Sequence, residues 1–540
     1  MTVLPHVSVL FREYVSSCGD DGRNAREKLR NFYSPFHCDG EWMQHPPLMD
    51  ETARREIAAL LRNQNRGFGA GSATEANIAR LAEGAAAVVT GQQVTLFGGP
   101  LLTLLKAATA IRVAADASRA GHPHVPIFWL ATEDHDFDEV NQAIFPAADD
   151  GSPIAALETL RLPANPAPGR PVGNLLFGDA VAPLVDQMRR CLGQNSISEL
   201  LASLYTPGAT FASAFAGFLA RIFSEHGLIV IDASSRPFHA FARNTLGGAI
   251  ERADEIHAAL LERDKELERA GFAPQVLVSE SSSLLFLLDE TTGVRMPLKK
   301  TPQRPWSAGA RQYSTAELSS ILEAAPERIS PSALLRPIMQ DTLLPSSAYV
   351  GGPAEIAYFA QSQVAYAHVL NRTTPILPRF SATLIDPTLA DLLHQHGLTL
   401  PDVFTTSDAL AQRLGARAMP IEGKRKLAAA GNALDVELKA VTEWMHAQDK
   451  GLGHAADVAA SKMLYQMNRL RRLSAAFGLQ KDESLRRHAD ALCNGLFPQG
   501  NLQERVVAGA WFLAKSGPSL IDALVEQARS GACGHHALFL

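Results

Sequence analysis

The segment from Ala85 to Thr132 constrains the fold of this chain more than any other. AAAVVTGQQVTLFGGP (Ala85–Pro100) is an apolar run that stops in a turn rich in glycine and amide side chains. LLTLLKAATAIRVAADASRAG follows and reads as a helix from Leu101 to about Ala120, closed by Gly121. VPIFWLAT (Val125–Thr132) then has the continuous apolar character of a strand buried on both faces. Strand, turn, helix and strand in succession make a βαβ crossover, the unit of a parallel sheet. The expected fold class is therefore α/β.

Later segments are read into the same sheet. GLIVIDAS (Gly227–Ser234) follows a helical stretch, Thr210–His226, while ALLRPIMQDTLLP (Ala333–Pro345) and TTPILPRFSATLID (Thr373–Asp386) supply further short apolar runs. SLLFLLDETTGVRMPLKK (Ser283–Lys300) reads as a hairpin turning near Thr292 and Gly293, and is assigned to an insertion outside the parallel core. Residues 1–84 look largely helical. After Pro387, Leu427, Leu434, Leu438, Val441, Met445 and Leu452 recur at helical spacing. GLGH (Gly451–His454) interrupts them, and Met463, Met467, Leu470, Leu473 and Phe477 mark a second helix. An antiparallel coiled-coil hairpin or an ordinary helical subdomain satisfies this pattern, and the hairpin could present a dimer surface. The expected organisation is a helical segment 1–84, a core 85–386 with insertions, a helical domain 387–500, and a C-terminal segment 501–540 returning to the core.

Bulk properties exclude several functions. A net charge of −6 gives no general pull toward nucleic acid or anionic membrane. No apolar run approaches the roughly 18 residues of a membrane span, and the first residues lack the pattern of a cleaved signal. Cys18, Cys38, Cys191, Cys493 and Cys533 are odd in number and scattered, which fits a reducing cytoplasm rather than a disulfide framework.

Three segments carry candidate chemistry. The first, TGQQVTLFGGP, lies where a Rossmann-type sheet binds ligands, after a strand and before a helix. Thr90, Gly91, Gln92, Gln93, Gly98 and Gly99 offer close backbone approach, amides and neutral polar side chains, and Lys106 adds a cation. The ending of a Walker motif is absent. EDHDFDE follows the next buried strand. Glu133, Asp134, His135, Asp136 and Asp138 crowd charge so closely that one carboxylate can be prepared as a general base for an attacking amine. A solvated acidic loop is the plain alternative. Carboxylates here could also meet Mg²⁺ alongside phosphate, whereas no zinc site is expected, and the C-terminal Cys533, His535 and His536 make a poor one.

In LLRPIMQDTLLPSSAYVGGPAEIAYFAQ (Leu334–Gln361), Arg336, Gln340 and Asp341 stand among apolar residues and need either each other or a ligand. Gly351, Gly352 and Pro353 form a second close-approach turn before a helix carrying Glu355 and Tyr358. Arg379 and Ser381 in PRFSATLID, with Gln503 and Arg505 in LFPQGNLQER, complete the candidates; the last pair could bind an anion or cap a helix.

TGQQVTLFGGP, IFWLATEDHDFDEVNQ, LLRPIMQDTLLPSSAYVGGPAEIAYFAQ, PRFSATL and LFPQGNLQER, in this order over nearly the whole chain, resemble the cysteine ligase family of bacillithiol biosynthesis (the BshC family). The resemblance implies a Rossmann-like core with insertions plus an antiparallel coiled-coil domain implicated in homodimer formation. It implies a ligase that forms an amide between L-cysteine and the amine of glucosaminyl-malate, with ATP activating the carboxylate. It also implies nucleotide binding at Arg379, Ser381, Gln503 and Arg505. The histidine signature of class I synthetase-like enzymes has no match at the first βα turn, where TGQQ stands, so acyl-adenylate and acyl-phosphate routes both stay open. Two other readings compete. One is a different ATP-dependent carboxylate–amine ligase or nucleotidyltransferase; the other is a non-catalytic nucleotide-binding scaffold.

Overall fold

A computed structural model describes residues 5, 7–18, 22–33, 40–147, 156–301, 304–529 and 534–540. The chain forms two compact units. The larger comprises Met1–Phe145, Glu158–Ala382 and Glu504–His536; the smaller comprises Pro146–Leu157, Thr383–Gln503 and Ala537–Leu540.

The larger unit is built on a five-stranded parallel sheet. Its strands are β1 (Ala86–Gln92), β2 (His124–Leu130), β3 (Ile229–Ile231), β4 (Ser346–Gly351) and β5 (Ile376–Pro378), in the spatial order β5-β4-β1-β2-β3. Helix α1 (Leu102–Arg119) joins β1 to β2, which pair in register from Ala86 opposite His124 to Gln92 opposite Leu130. Both strands are buried along nearly their whole length because both faces of the sheet are covered. Ala87, Val89, Val125, Ile127 and Trp129 enter one core; Val88 joins Ala110, Val113, Ala348 and Val350 in another.

Chain order runs outward from β1 through β2 to β3 and then returns to the opposite side of β1 with β4. That reversal makes the carboxyl ends of β1 and β4 a topological switch point, where loops diverge and leave a crevice. Helix α2 (Arg236–Phe241) follows β3, and α4 (Pro353–Val369) follows β4.

The segment around Arg336 departs from the sheet assignment: Arg336–Leu343 is a helix, α3, and the strand comes after it. Pro337 in its first turn presets helical φ, and Ile338, Met339 and Leu343 are buried. The Ser283–Lys300 region is a hairpin outside the parallel core, as expected. Ser282–Leu288 and Arg295–Thr301 belong to a separate antiparallel sheet with Ile329–Pro331, Arg304–Ala308 and Arg311–Tyr313.

The smaller unit is mainly helical, and two long helices, Ile421–Gln448 and Lys450–Lys481, form its hairpin. The break does not fall at Gly451–His454. It falls at Asp449, whose carboxylate accepts the N–H groups of Gly451 and Leu452 and caps the second helix. Trp444, Met463, Leu470, Leu473 and Phe477 are exposed on this pair. Among the described residues no helix is long and apolar enough to cross a membrane.

Candidate functional site

A cavity of about 450 Å³ opens in the larger unit at the carboxyl ends of β1, β2 and β4. Its β1 side is Gly91, Gln92 and Gln93. Gly91 is required by packing, since a Cβ there would stand 2.7 Å from the Trp129 carbonyl oxygen. Lys106, on α1, is 3% exposed. Its ammonium donates to the Gly91 carbonyl at 2.6 Å and to Gln92 Oε1 at 3.0 Å, and lies 2.5 Å from Glu355 Oε2. Burial lowers the Lys106 pKa and the Glu355 charge opposes this. Glu355 also accepts the Gly352 N–H at 2.7 Å and the Tyr349 hydroxyl at 2.6 Å. Burial would raise its pKa, but the charges of Lys106 and Arg336 outweigh burial and keep it low. Arg336 lies beside it and donates to the Tyr358 hydroxyl at 2.7 Å.

The β2 side carries the acidic loop. Glu133 Oε1 is 2.9 Å from Nε2 of the wholly buried His239. Asp134 accepts Gln93 Nε2 at 2.5 Å and the backbone N–H of His135 at 2.7 Å. Burial pushes its pKa up, yet these donors and the Arg295 charge bring it below the ordinary value. His135 lines the cavity next to Arg295, whose guanidinium lies 3.7 Å from the Phe286 ring centroid and donates to Ser330 Oγ and the Pro331 carbonyl. Glu139 completes this wall, its pKa raised by burial and by the charges of Asp134 and Asp136.

Gly91, Gln92, Gln93, Lys106, Glu133, Asp134, His135, Arg336, Gly352, Glu355, Tyr358, Arg379 and Arg505 thus line one cavity. The other candidates do not. Thr90 spends its hydroxyl on the Val350 carbonyl inside the sheet. Gly98 sits at φ +82°, its N–H donating to the Tyr205 hydroxyl, and Gly99 lines a smaller chamber of about 180 Å³. Gly351 remains within β4 against Ile376.

Gln340 is buried on α3, and Asp341 is held by the Tyr366 and Thr374 hydroxyls rather than by Arg336. Asp136 caps the short helix Phe137–Val140, and with Asp138 it faces an adjoining cavity of about 370 Å³. Ser381 donates to Glu504, and Gln503 clasps Leu384 and the Gly495 carbonyl. Cys533 lies outside the described residues. His124 is a buried β2 residue 2.8 Å from Ser347 Oγ.

Four important residues had no clear sequence signal. Arg295 and Phe286 come from the hairpin set aside as an insertion. His239 is a lone histidine on a short helix. Glu504 was passed over between Gln503 and Arg505, yet it is fully buried and grips Arg379 through both oxygens.

Charge is unevenly matched in the cavity. Arg295, Arg336 and Arg505 face it without a carboxylate at ion-pair distance among the described residues. Such guanidinium groups fit phosphate or carboxylate ligands. Among the described residues no three of His, Cys, Asp and Glu are grouped as a metal cage. An Mg²⁺ ion carried by phosphates needs only one or two carboxylates.

Comparison with known proteins places this chain in a family. The family model for "Bacillithiol biosynthesis BshC, N-terminal Rossmann-like domain" matches residues 8–380, and that for "Bacillithiol biosynthesis BshC, C-terminal coiled-coil domain" matches residues 382–540. Similar full-length relatives bear the name "Putative cysteine ligase BshC". That of Koribacter versatilis is 39% identical, covering 99% of this chain and 97% of its own length. That of Solibacter usitatus is 36% identical, covering 92% and 91%, and that of Chlorobaculum tepidum is 30% identical, covering 96% and 94%. With both domains matched over nearly its whole length, the chain belongs to the BshC family of bacillithiol biosynthesis.

Proposed function

We propose that this protein is a cytoplasmic ligase that joins the carboxyl group of L-cysteine to the amine of glucosaminyl-malate, with ATP activating the carboxylate. The observation carrying this reading is the pairing, in one cavity, of three arginines lacking acidic partners with the carboxylates Glu133, Asp134 and Glu139. Phosphates, malate carboxylates and the carboxylate of cysteine all call for such cations. A sugar ammonium calls for the carboxylates.

When bound, ATP would supply the phosphoryl or adenylyl group that activates the cysteine carboxylate. Arg295, Arg336 and Arg505 are the side chains suited to hold its anionic groups, and Glu139 is the carboxylate suited to Mg²⁺ bound to phosphate. Gln92, Gln93 and the Gly352 turn orient the anionic groups, and Glu133 and Asp134 orient the amine and take its proton. Holding both reactants in one crevice removes much of the cost of a bimolecular encounter. The exposed apolar side chains of the long helical pair support a homodimer formed through that unit.

The test is mass spectrometry of products formed by the purified protein with ATP, magnesium, L-cysteine and glucosaminyl-malate. The cysteinyl amide is expected, and AMP or ADP beside it distinguishes adenylate from acyl-phosphate activation. Nucleotide consumption only with another amino acid, or nucleotide binding without turnover, would overturn the reading.

A further inference from the structure

We infer that His239 is a positioning residue for the deprotonating carboxylate: a buried imidazole that holds one oxygen of Glu133 from behind the cavity wall and leaves the other free to meet a substrate ammonium. The identity of the substrate rests on the ligase reading above; the pair itself does not.

The fold brings the two residues together from segments far apart in sequence. β2 and β3 are neighbours, with Trp129 opposite Ile231, so the loop after β2 and helix α2 after β3 emerge side by side. Thr132 Oγ1 donates to Asp232 Oδ1 at 2.6 Å and ties these exits together. Glu133 follows the latch and lines the cavity. His239 is 0% exposed and touches no cavity space, so it acts through Glu133, 2.9 Å away.

An apolar residue would fill the His239 position without needing a partner; the imidazole there is paired through Nε2 to Glu133, while its buried Nδ1 makes no hydrogen bond among the described residues. Glu133 Oε2 has no protein hydrogen bond among the described residues. The groups facing His239 are Glu133, Glu327 from the turn Pro326–Arg328, and the backbone of Ile329. Burial opposes the charged ring, but the two carboxylates outweigh it and raise its pKa. In the step itself an N–H bond of the ammonium breaks, an O–H bond forms on Glu133, and nitrogen keeps the electron pair for the activated acyl carbon. His239 keeps its own proton throughout.

The experiment uses the full chain as wild type, His239→Gln, His239→Leu and Glu133→Gln. Its readouts are the pH profile of kcat/KM for the amine substrate and the ¹⁵N resonances of histidine rings in ligand-free protein. H239Q keeps a donor but loses the charge, so the acid limb should move up by about one pH unit. H239L should lose about 10²-fold in kcat with KM for ATP unchanged. One ring should remain protonated above its ordinary range in wild type and lose that behaviour in E133Q. If H239L does not fold, H239Q and E133Q decide. An unmoved acid limb with full kcat in H239Q, or no ring titration dependent on Glu133, would overturn the inference. Absence of amide product from wild type would count against the ligase reading alone, because the ring titration still judges the pair.

Discussion

Replacing Glu504 by glutamine should cost the larger unit about 3–5 kcal/mol, the range for breaking a buried ion pair by removing one partner. Glu504 is 0% exposed and its two oxygens accept four hydrogen bonds. Oε1 takes Arg379 Nη2 at 2.5 Å and Ser381 Oγ at 2.9 Å; Oε2 takes Arg379 Nη1 and the Ala382 N–H, each at 3.0 Å. In the glutamine variant one oxygen becomes an NH₂ group facing donors, so two of the four bonds are lost whichever way the amide turns. Arg379, 6% exposed, is then left as a buried charge without its counterion.

The assay is urea unfolding of E504Q, Arg379→Met and the double variant. Removing the cation first should make the second change cheaper, giving a coupling of about 2 kcal/mol or more. The acid side of the stability curve supplies a second check. Burial acts to raise the Glu504 pKa, but the Arg379 charge outweighs it and the folded value is depressed. This contribution is therefore present above the ordinary carboxylate value of 4.5 and is lost as pH falls through the depressed folded value. E504Q should lack that part of the acid dependence. A cost below about 1 kcal/mol, or additive effects in the cycle, would refute the clasp as a source of stability.

Further outcomes follow from the same geometry. Arg505→Ala removes a cation with no ion-pair partner, so stability should change by no more than about 0.5 kcal/mol while KM for an anionic substrate rises about tenfold or more; steady-state kinetics with unchanged KM would exclude Arg505 from binding. Gly98→Ala places a Cβ 2.4 Å from Phe218 Cε1 at a φ of +82°, and should destabilise by about 1–3 kcal/mol in thermal unfolding. His535 is buried neutral, its pKa pulled down from 6.5 to about 4 chiefly by burial. Its unfolded form takes up a proton first, so stability should fall as pH drops below 6.5, by up to about 3 kcal/mol near pH 4. His535→Asn should flatten that slope in acid titrations followed by circular dichroism.

The parallel core could be read from the chain because its strands are covered on both faces, and continuous apolar runs such as VPIFWLAT have few other uses. The same logic failed at ALLRPIMQDTLLP. A short apolar run bounded by proline suits a buried helix as well as a strand, and only packing against neighbouring elements made it α3. Much of the cavity was visible for a related reason. Gly91–Gln93 end a strand of one parallel sheet, and Glu133–His135 and Gly352–Glu355 follow two others, so polar residues there share a rim.

Partner choice among buried charges could not be read in this way. Arg336 and Asp341 are five positions apart, about 140° around the axis of α3, so one bonds Tyr358 and the other Tyr366 and Thr374. Arg379 meets Glu504 across 125 positions, and Glu133 meets His239 across 106. Local periodicity and turn chemistry act over a few residues, so they mark where strands end and which residues can crowd a rim. Burying a charge requires a counter-charge that is near in space but can come from anywhere in the chain. Which arginines are satisfied, and which are left facing the cavity, is therefore set when the strands and helices assemble.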